Sequence, residues 1–302
     1  MLTRPTAPTF VVVGARGQLG FELVRELAPL GRVVELTRGA ADLSDADAVR
    51  AAVLRAAPTV VLNAAAYTAV DAAESDVERC RLVNSVAPGV IAEAAERVGA
   101  AVVHYSTDYV FDGTAERPYA EDDVPNPLGV YGATKLAGEY AVAAASSAHI
   151  TFRLSWVYGL RGRNFVRTIL RLAREREELR VVSDQIGAPT WSRLIAASTA
   201  HLLARAVHSP QGVRDVVASV SGVYHLSAGG ATSWHEFAEA ILAADPARDE
   251  QRCRVVHAVG SADHPTPARR PASSLLSSEK ARTRLGLELP GWRRQLDLSL
   301  AR

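Results

Sequence analysis

Short runs of apolar, often β-branched residues alternate along this chain with longer stretches in which apolar side chains return every three or four positions. Residues 9–13 are such a run, ending at Gly14, and predict a buried strand. Over residues 18–30, Leu19, Leu23, Leu27 and Leu30 recur at helical spacing, with Gly31 as the stop. The pattern continues with a strand at 33–36 and a helix at 46–57, for which Asp42, Ser44 and Asp45 are candidate caps. A strand at 59–62, a long helical stretch at 77–98 and a strand at 101–106 follow. A helix carrying 131–135 and a fifth strand at 150–154 complete this half. Strands and helices in strict alternation predict an α/β fold, a Rossmann-like, doubly wound parallel sheet.

The second half is less regular. It predicts helices at 165–176, 191–207 and 234–244, strands at 179–183 and 223–226, a turn-rich segment at 184–190 and a loop at 260–274. This mixture suggests a smaller C-terminal substrate-binding lobe whose loops face the carboxyl edge of the main sheet. The expected division is a flexible tail at 1–8 and a dinucleotide-binding domain at 9–155, completed by about 191–228. The lobe then takes about 156–190 and 229–302.

Composition changes this picture little but excludes several function classes. Across 302 residues, 48% are hydrophobic and 22% charged, ordinary values for a globular protein. The net charge of +1 gives no electrostatic case for nucleic acid or anionic membrane, and Arg269-Arg270 is too short to form a basic patch. Cys80 and Cys253 are far apart, offer neither a disulfide framework nor metal-ligand spacing, and fit a reducing compartment. No apolar run approaches the ~20 residues of a membrane span, and residues 1–8, broken by prolines, do not resemble a secretory signal. The protein is therefore expected to be cytoplasmic.

Candidate chemistry begins where the first strand ends, at Gly14-Ala15-Arg16-Gly17-Gln18-Leu19-Gly20. Glycines at this spacing between a strand and a helix let the backbone turn sharply and approach a diphosphate, which the helix N-terminus then attracts. NAD binders often end their second strand with a carboxylate for the ribose. Here Thr37 and Arg38 occupy that tip and Glu35 lies inside the strand. Arg38, with Arg16 as a second candidate, suits a 2′-phosphate, so NADPH is expected, with NADH the alternative. Asp42-Leu43 can reach an adenine ring, and the small side chains of Asn63-Ala64-Ala65-Ala66 let a cofactor lie close to the sheet. The fourth strand ends His104-Tyr105-Ser106-Thr107-Asp108. Adjacent residues there point to opposite faces, so only one of Ser106 and Thr107 addresses the crevice. Tyr131 and Lys135, four residues apart on a predicted helix, share one face. An ammonium beside a phenol of unperturbed pKa ~10 stabilises the phenolate and makes the tyrosine a usable proton donor.

Together these segments resemble the extended short-chain dehydrogenase/reductase superfamily, which acts largely on nucleotide sugars. The likeness runs from about Thr9 to Trp292. It is carried most specifically by the stretches 63–75, 103–111 (VHYSTDYVF), 130–139 (VYGATKLAGE), 153–158 (RLSWVY) and 184–190 (DQIGAPT), with Arg270-Pro271. Within the superfamily it points to NADPH-dependent reduction of the 4-keto group of a dTDP-linked 6-deoxyhexose, a step that feeds cell-surface polysaccharide synthesis. By this resemblance Tyr131 is the catalytic acid, Lys135 its partner and holder of the nicotinamide ribose, and Thr107 the catalytic hydroxyl. Gly14, Gly17, Gln18, Leu19 and Gly20 match the diphosphate loop, Asp42 and Leu43 the adenine contacts. Ala65, Ala66, Tyr67, Thr68 and Tyr105 line the cofactor. Val70, Thr107, Asp108, Tyr109 and Trp156 match sugar contacts, and Asn164, Gln185, Pro189 and Arg270 contacts to the dTDP moiety.

Each residue also has a plainer reading: Trp156 as interface core, Arg270 as a surface cation, His104 and His225 as packed strand residues. Some family members dimerise around magnesium held by glutamates. Glu22 matches one such ligand, but Arg193 stands where a second is expected, which implies no structural metal and a monomer or weak homodimer. Two rivals share the scaffold. An epimerase or dehydratase is one, although a dehydratase needs an acidic pair where the chain has Asp108-Tyr109. A non-catalytic regulatory subunit is the other, although it has no need of Thr107, Tyr131 and Lys135.

Overall fold

The computed structural model describes residues 7–301. Most of the expected tail, residues 1–6, lies outside them, as does Arg302. Six parallel strands form the central sheet. In chain order they are β1 (Thr9–Val13), β2 (Arg32–Leu36), β3 (Val60–Asn63), β4 (Ala101–Thr107), β5 (His149–Leu154) and β6 (Gly222–His225), and their spatial order is β6-β5-β4-β3-β1-β2. β3, β4 and β5 are buried at every position, as strands covered on both faces must be. One face packs on α1 (Gln18–Leu27) and a later helix, Ser192–Val207; the other packs on α2 (Ala46–Ala56) and α3 (Ala87–Arg97). The chain passes from β1 to β2 on one side and then crosses back to β3 on the other. That reversal opens a crevice beyond their carboxyl ends, where ligands bind in open α/β sheets.

The fourth long helix, α4 (Val130–Ala145), carries Tyr131 and Lys135. Its first N–H is accepted by the Glu74 carboxylate at 2.9 Å, so a side chain from a distant loop fixes where the helix begins. Gly132 lets it lie flush against the β4 exit. A Cβ there would stand 2.1 Å from the Tyr109 carbonyl oxygen.

Several expected boundaries shift for identifiable reasons. The helix expected at 18–30 stops at Leu27. Asp45 alone caps α2, accepting from Ala48 N–H, and the helix closes on Ala57 in the left-handed conformation rather than running through it. The long helical stretch expected at 77–98 runs unbroken to Arg97, but with a π turn at Leu82–Val86 between Val77–Arg81 and α3. Pro88 has no N–H and its ring collides with the carbonyl four residues back, that of Asn84; the wider turn absorbs the conflict. The helix expected from Trp191 starts at Ser192.

Beyond the sheet, Glu178–Val182 pairs in parallel with Val255–Val259, a strand with no clear sequence signal. Helices Val213–Ser219 and Trp292–Leu300 were likewise not evident from pattern. A separate aromatic-rich core joins Phe165–Glu175, Trp234–Ala244 and Trp292–Leu300, whereas Ala281, Leu285, Leu287 and Leu289 return to the core of the main sheet. Among the described residues, no helix is long and apolar enough to cross a membrane.

Candidate active site

The glycine loop is built as the crevice requires. Gly14 has φ 78°, its N–H donates to the Leu36 carbonyl and its carbonyl accepts from Gly17 at 2.9 Å. A Cβ on Gly20 would lie 2.1 Å from the Gly14 carbonyl oxygen, so only glycine lets α1 start this close to the loop. Gly17 opens α1 with neither a side-chain cap nor an acidic residue in the first turn, leaving N–H donors and positive dipole facing the crevice. Arg16 and Arg38 are exposed at its rim. Asp42 is held below its usual range by hydrogen bonds from Ser44, with the Arg38 and Arg79 charges assisting. Leu19 and Leu43 pack inward from the loop and from the β2 side.

Across the loop, Asn63 Oδ1 accepts from Ala65 N–H at 3.3 Å while its amide meets His104. Ala65 and Ala66 are half-buried and Thr68 is exposed. Asn84, on the π turn, clamps Tyr67 from both sides. Its oxygen accepts the Tyr67 N–H at 2.8 Å and its amide donates to the Tyr67 carbonyl at 3.1 Å. The same amide reaches Cys80 Sγ and Thr134 Oγ1, a buried polar set directly behind α4.

At the carboxyl end of β4 the structure separates Ser106 from Thr107. Ser106 Oγ is buried and, among the described residues, has no hydrogen-bond partner. Thr107 Oγ1 donates to Asp108 at 2.9 Å, accepts from Tyr109 N–H at 3.2 Å, and bonds to the Tyr131 phenol. Tyr131 is half-buried, edge-on to Tyr109 with ring centroids 5.6 Å apart. Burial pushes its pKa up, and the Thr107 hydrogen bond is what opposes that rise. Lys135 is 1% exposed and its ammonium donates to the Tyr105 carbonyl at 2.6 Å. Burial lowers its pKa from 10.5 to about 8, with the Glu139 carboxylate one turn further along α4 pulling the other way. Asp108 is 4% exposed; burial raises its carboxyl to about 6 against hydrogen bonds from Ser274, Thr107 and Ser155.

Some expected contacts are differently employed. The Tyr105 ring lies in the main core and its phenol donates to Thr199, so only its carbonyl faces the Lys135 ammonium. Asn164 caps the helix Phe165–Glu175 and donates to Gln18 Oε1 at 2.8 Å and to the Gly159 carbonyl, tying that loop to the glycine loop. Gln185 donates to Ser261, and Pro189 is buried. Arg270 grips the Asp71 carboxylate through both terminal nitrogens at 3.1 and 2.8 Å, holding Asp71 below its usual range, and also bonds Thr266 and neighbours Tyr109. Val70 begins the short helix that presents Asp71. Trp156 stacks on Trp234. His104 and His225 are fully buried and kept neutral by desolvation, packed rather than exposed to the crevice.

Sequence reasoning missed the Arg153–Glu139 ion pair, 2.7 Å apart and buried, which fastens α4 to β5 beneath Lys135. Helical spacing alone could have flagged Glu139, four residues beyond Lys135. Among the described residues, no cluster of three or more acidic, His or Cys side chains could hold a metal ion. Arg193 approaches Glu26 at 3.8 Å.

A family model described as the RmlD substrate binding domain matches residues 9–302. The dTDP-4-dehydrorhamnose reductase of Burkholderia thailandensis is 52% identical over 286 residues, 94% of this chain and 95% of that one. The enzyme of the same name from Escherichia coli is 44% identical over 287 residues, 93% of each chain. A crystal structure of dTDP-4-dehydrorhamnose reductase from Bacillus anthracis in complex with NADP superposes with a TM-score of 0.87 at 32% identity, covering 97% of this chain and 99% of that one. The UDP-glucose 4-epimerase of Thermus thermophilus shares the fold alone, with a TM-score of 0.73 at 19% identity over 97% of each chain.

Proposed function

The chain belongs to the RmlD substrate binding domain family, and from that footing we propose that it reduces the 4-keto group of dTDP-4-dehydro-L-rhamnose (dTDP-6-deoxy-L-lyxo-4-hexulose) to dTDP-L-rhamnose, with NADPH as reductant. The observation that carries this reading is the convergence of Thr107, Tyr131 and Lys135 at the carboxyl ends of the central strands, beside the glycine loop.

The residues present fit a dinucleotide. Gly14 and Gly20 have no room for a side chain, the α1 N-terminus is free of side-chain caps, and Ala65 packs directly against Gly14. Gly14, Gly17, Gln18, Leu19 and Gly20 would hold the diphosphate, Asp42 and Leu43 the adenine, and Arg38 with Arg16 the 2′-phosphate. Ala65, Ala66, Tyr67 and Thr68 would line the nicotinamide half. When bound, the nicotinamide supplies the hydride.

The protein supplies position and protons. Tyr131 donates its phenolic proton to the oxygen that becomes the new hydroxyl. Lys135, one turn along the same helix, would offer a positive charge to the phenolate that remains and hydrogen bonds to the ribose. Thr107 turns its hydroxyl proton from Asp108 to the same sugar oxygen. Asp108, Tyr109, Val70 and Trp156 form the sugar wall, with Gln185, Asn164, Pro189 and Arg270 on the nucleotide side. In this reading residues 9–155 and about 191–228 hold the cofactor, and about 156–190 with 229–302 hold the sugar nucleotide. The protein works in the cytoplasm as a monomer or weak homodimer.

Purified protein given NADPH and the 4-keto sugar nucleotide should oxidise one NADPH per sugar consumed. Turnover without NADPH consumption would identify an epimerase instead, and binding without turnover a regulatory subunit.

A further inference from the structure

The residue that leaves β5 by way of Ser155 is a backbone outlier. Trp156 has φ 45°, a conformation that a bulky side chain keeps only where its surroundings impose it. Three contacts impose it here. Its indole lies flat on Trp234, with ring centroids 3.4 Å apart and planes 4° from parallel. It passes so close to Gly187 that a Cβ there would stand 2.3 Å from Trp156 Cε2. Its carbonyl accepts the Thr190 N–H at 3.1 Å.

Trp234 is itself firmly held. It is the first residue of the helix Trp234–Ala244, whose start is set by a capping box between Ser233 and Glu236. The Phe165 ring packs on it with centroids 4.5 Å apart. On the other side of the outlier, Ser155 donates to Asp108 Oδ2 at 3.3 Å, which ties the residue before Trp156 to the residue after Thr107.

We propose that Trp234 is a positioning residue for the sugar site: by clamping Trp156 in its left-handed backbone conformation, it fixes the indole edge that borders the sugar ring. It thereby governs affinity for the sugar nucleotide and not the rate of proton or hydride transfer. The inference rests on the reading of the chain as a sugar-nucleotide reductase, with Trp156 facing the sugar. Without the stack, only the Gly187 contact and the Thr190 hydrogen bond, of the three named, still hold the Trp156 backbone, and binding has to restore the indole's position each time.

The test is steady-state kinetics on Trp234→Ala and Trp234→Phe, with circular dichroism of the coupled indoles. Trp234→Ala should raise KM for the 4-keto sugar nucleotide about tenfold, equivalent to ~1.4 kcal/mol, with kcat and the Kd for NADPH unchanged. Trp234→Phe keeps a flat ring on Trp156 and should recover most of the affinity; it also serves if the alanine variant does not fold. The exciton signal of the indole pair should vanish in Trp234→Phe and Trp156→Phe alike. A folded variant with lower thermal stability but unmoved KM would overturn the proposal, as would equal losses of sugar-nucleotide and NADPH binding. Wild-type protein that neither turns over nor binds dTDP-L-rhamnose would overturn the functional reading and this one together. Normal wild-type turnover with an unmoved KM in Trp234→Ala overturns this one alone.

Discussion

Lys135 is where catalysis and stability should conflict most measurably. Its ammonium is 1% exposed, with one carbonyl acceptor at 2.6 Å and a pKa lowered from 10.5 to about 8. Below pH 8 the lysine is charged in both folded and unfolded chains, and the folded chain bears the full cost of burying the charge. Between pH 8 and 10.5 the folded chain gives up its proton first, so the unfolded chain binds more protons and stability rises with pH. Above 10.5 the difference is gone. A shift of about 2.5 pH units at ~1.4 kcal/mol each amounts to about 3 kcal/mol. Replacing Lys135 by methionine removes this titration and little volume. Denaturant unfolding of wild type and Lys135→Met without cofactor, run from pH 7 to 10.5, should show wild type gaining about 3 kcal/mol relative to the variant over that interval. Lys135→Met should also lose most reductase activity at every pH. A stability difference that stays flat across the interval would refute the idea that Lys135 is held as a costly buried charge.

Tyr131→Phe should lower kcat by ~10²–10⁴-fold, the range for a positioned proton donor, while isothermal titration finds NADPH binding nearly intact. Arg153→Met leaves the Glu139 carboxylate buried without its 2.7 Å partner and should cost ~3–5 kcal/mol in urea unfolding; a cost below 1 kcal/mol would show that the pair does not fasten α4. Arg38→Ala should raise KM for NADPH far more than for NADH, and an unchanged ratio of the two would remove Arg38 from 2′-phosphate recognition.

Where two signals agree, sequence and structure agree closely. β1 spans the residues its apolar run marks out because strand, glycine turn and helix start reinforce one another at Gly14. Tyr131 and Lys135 share a helix face, as their spacing requires. The departures arise where a distant residue decides. Pro88 sits in a good helical pattern, and what the pattern could not show is that the π turn ahead of it carries Asn84, which holds Tyr67. Val255–Val259 is a short, largely exposed strand held by its neighbour Glu178–Val182 and by His235 at the Val256 carbonyl, distant partners that periodicity could not reveal. Within the site, residue type was legible but partnership was not. Asn164 and Arg270 bear donors suited to a diphosphate, yet here they bond Gln18 and Asp71. The stacking of Trp156 on Trp234 joins residues 78 positions apart, beyond the reach of any local pattern.

The most direct test of reduction at C4 is transfer of label from NADPH carrying deuterium in both C4 positions of the nicotinamide to the keto sugar nucleotide, read by NMR of the product. Deuterium should appear at C4 of the sugar in dTDP-L-rhamnose, one per NADPH oxidised. A product without deuterium at that carbon, or one carrying it with the opposite C4 configuration, would contradict the assignment.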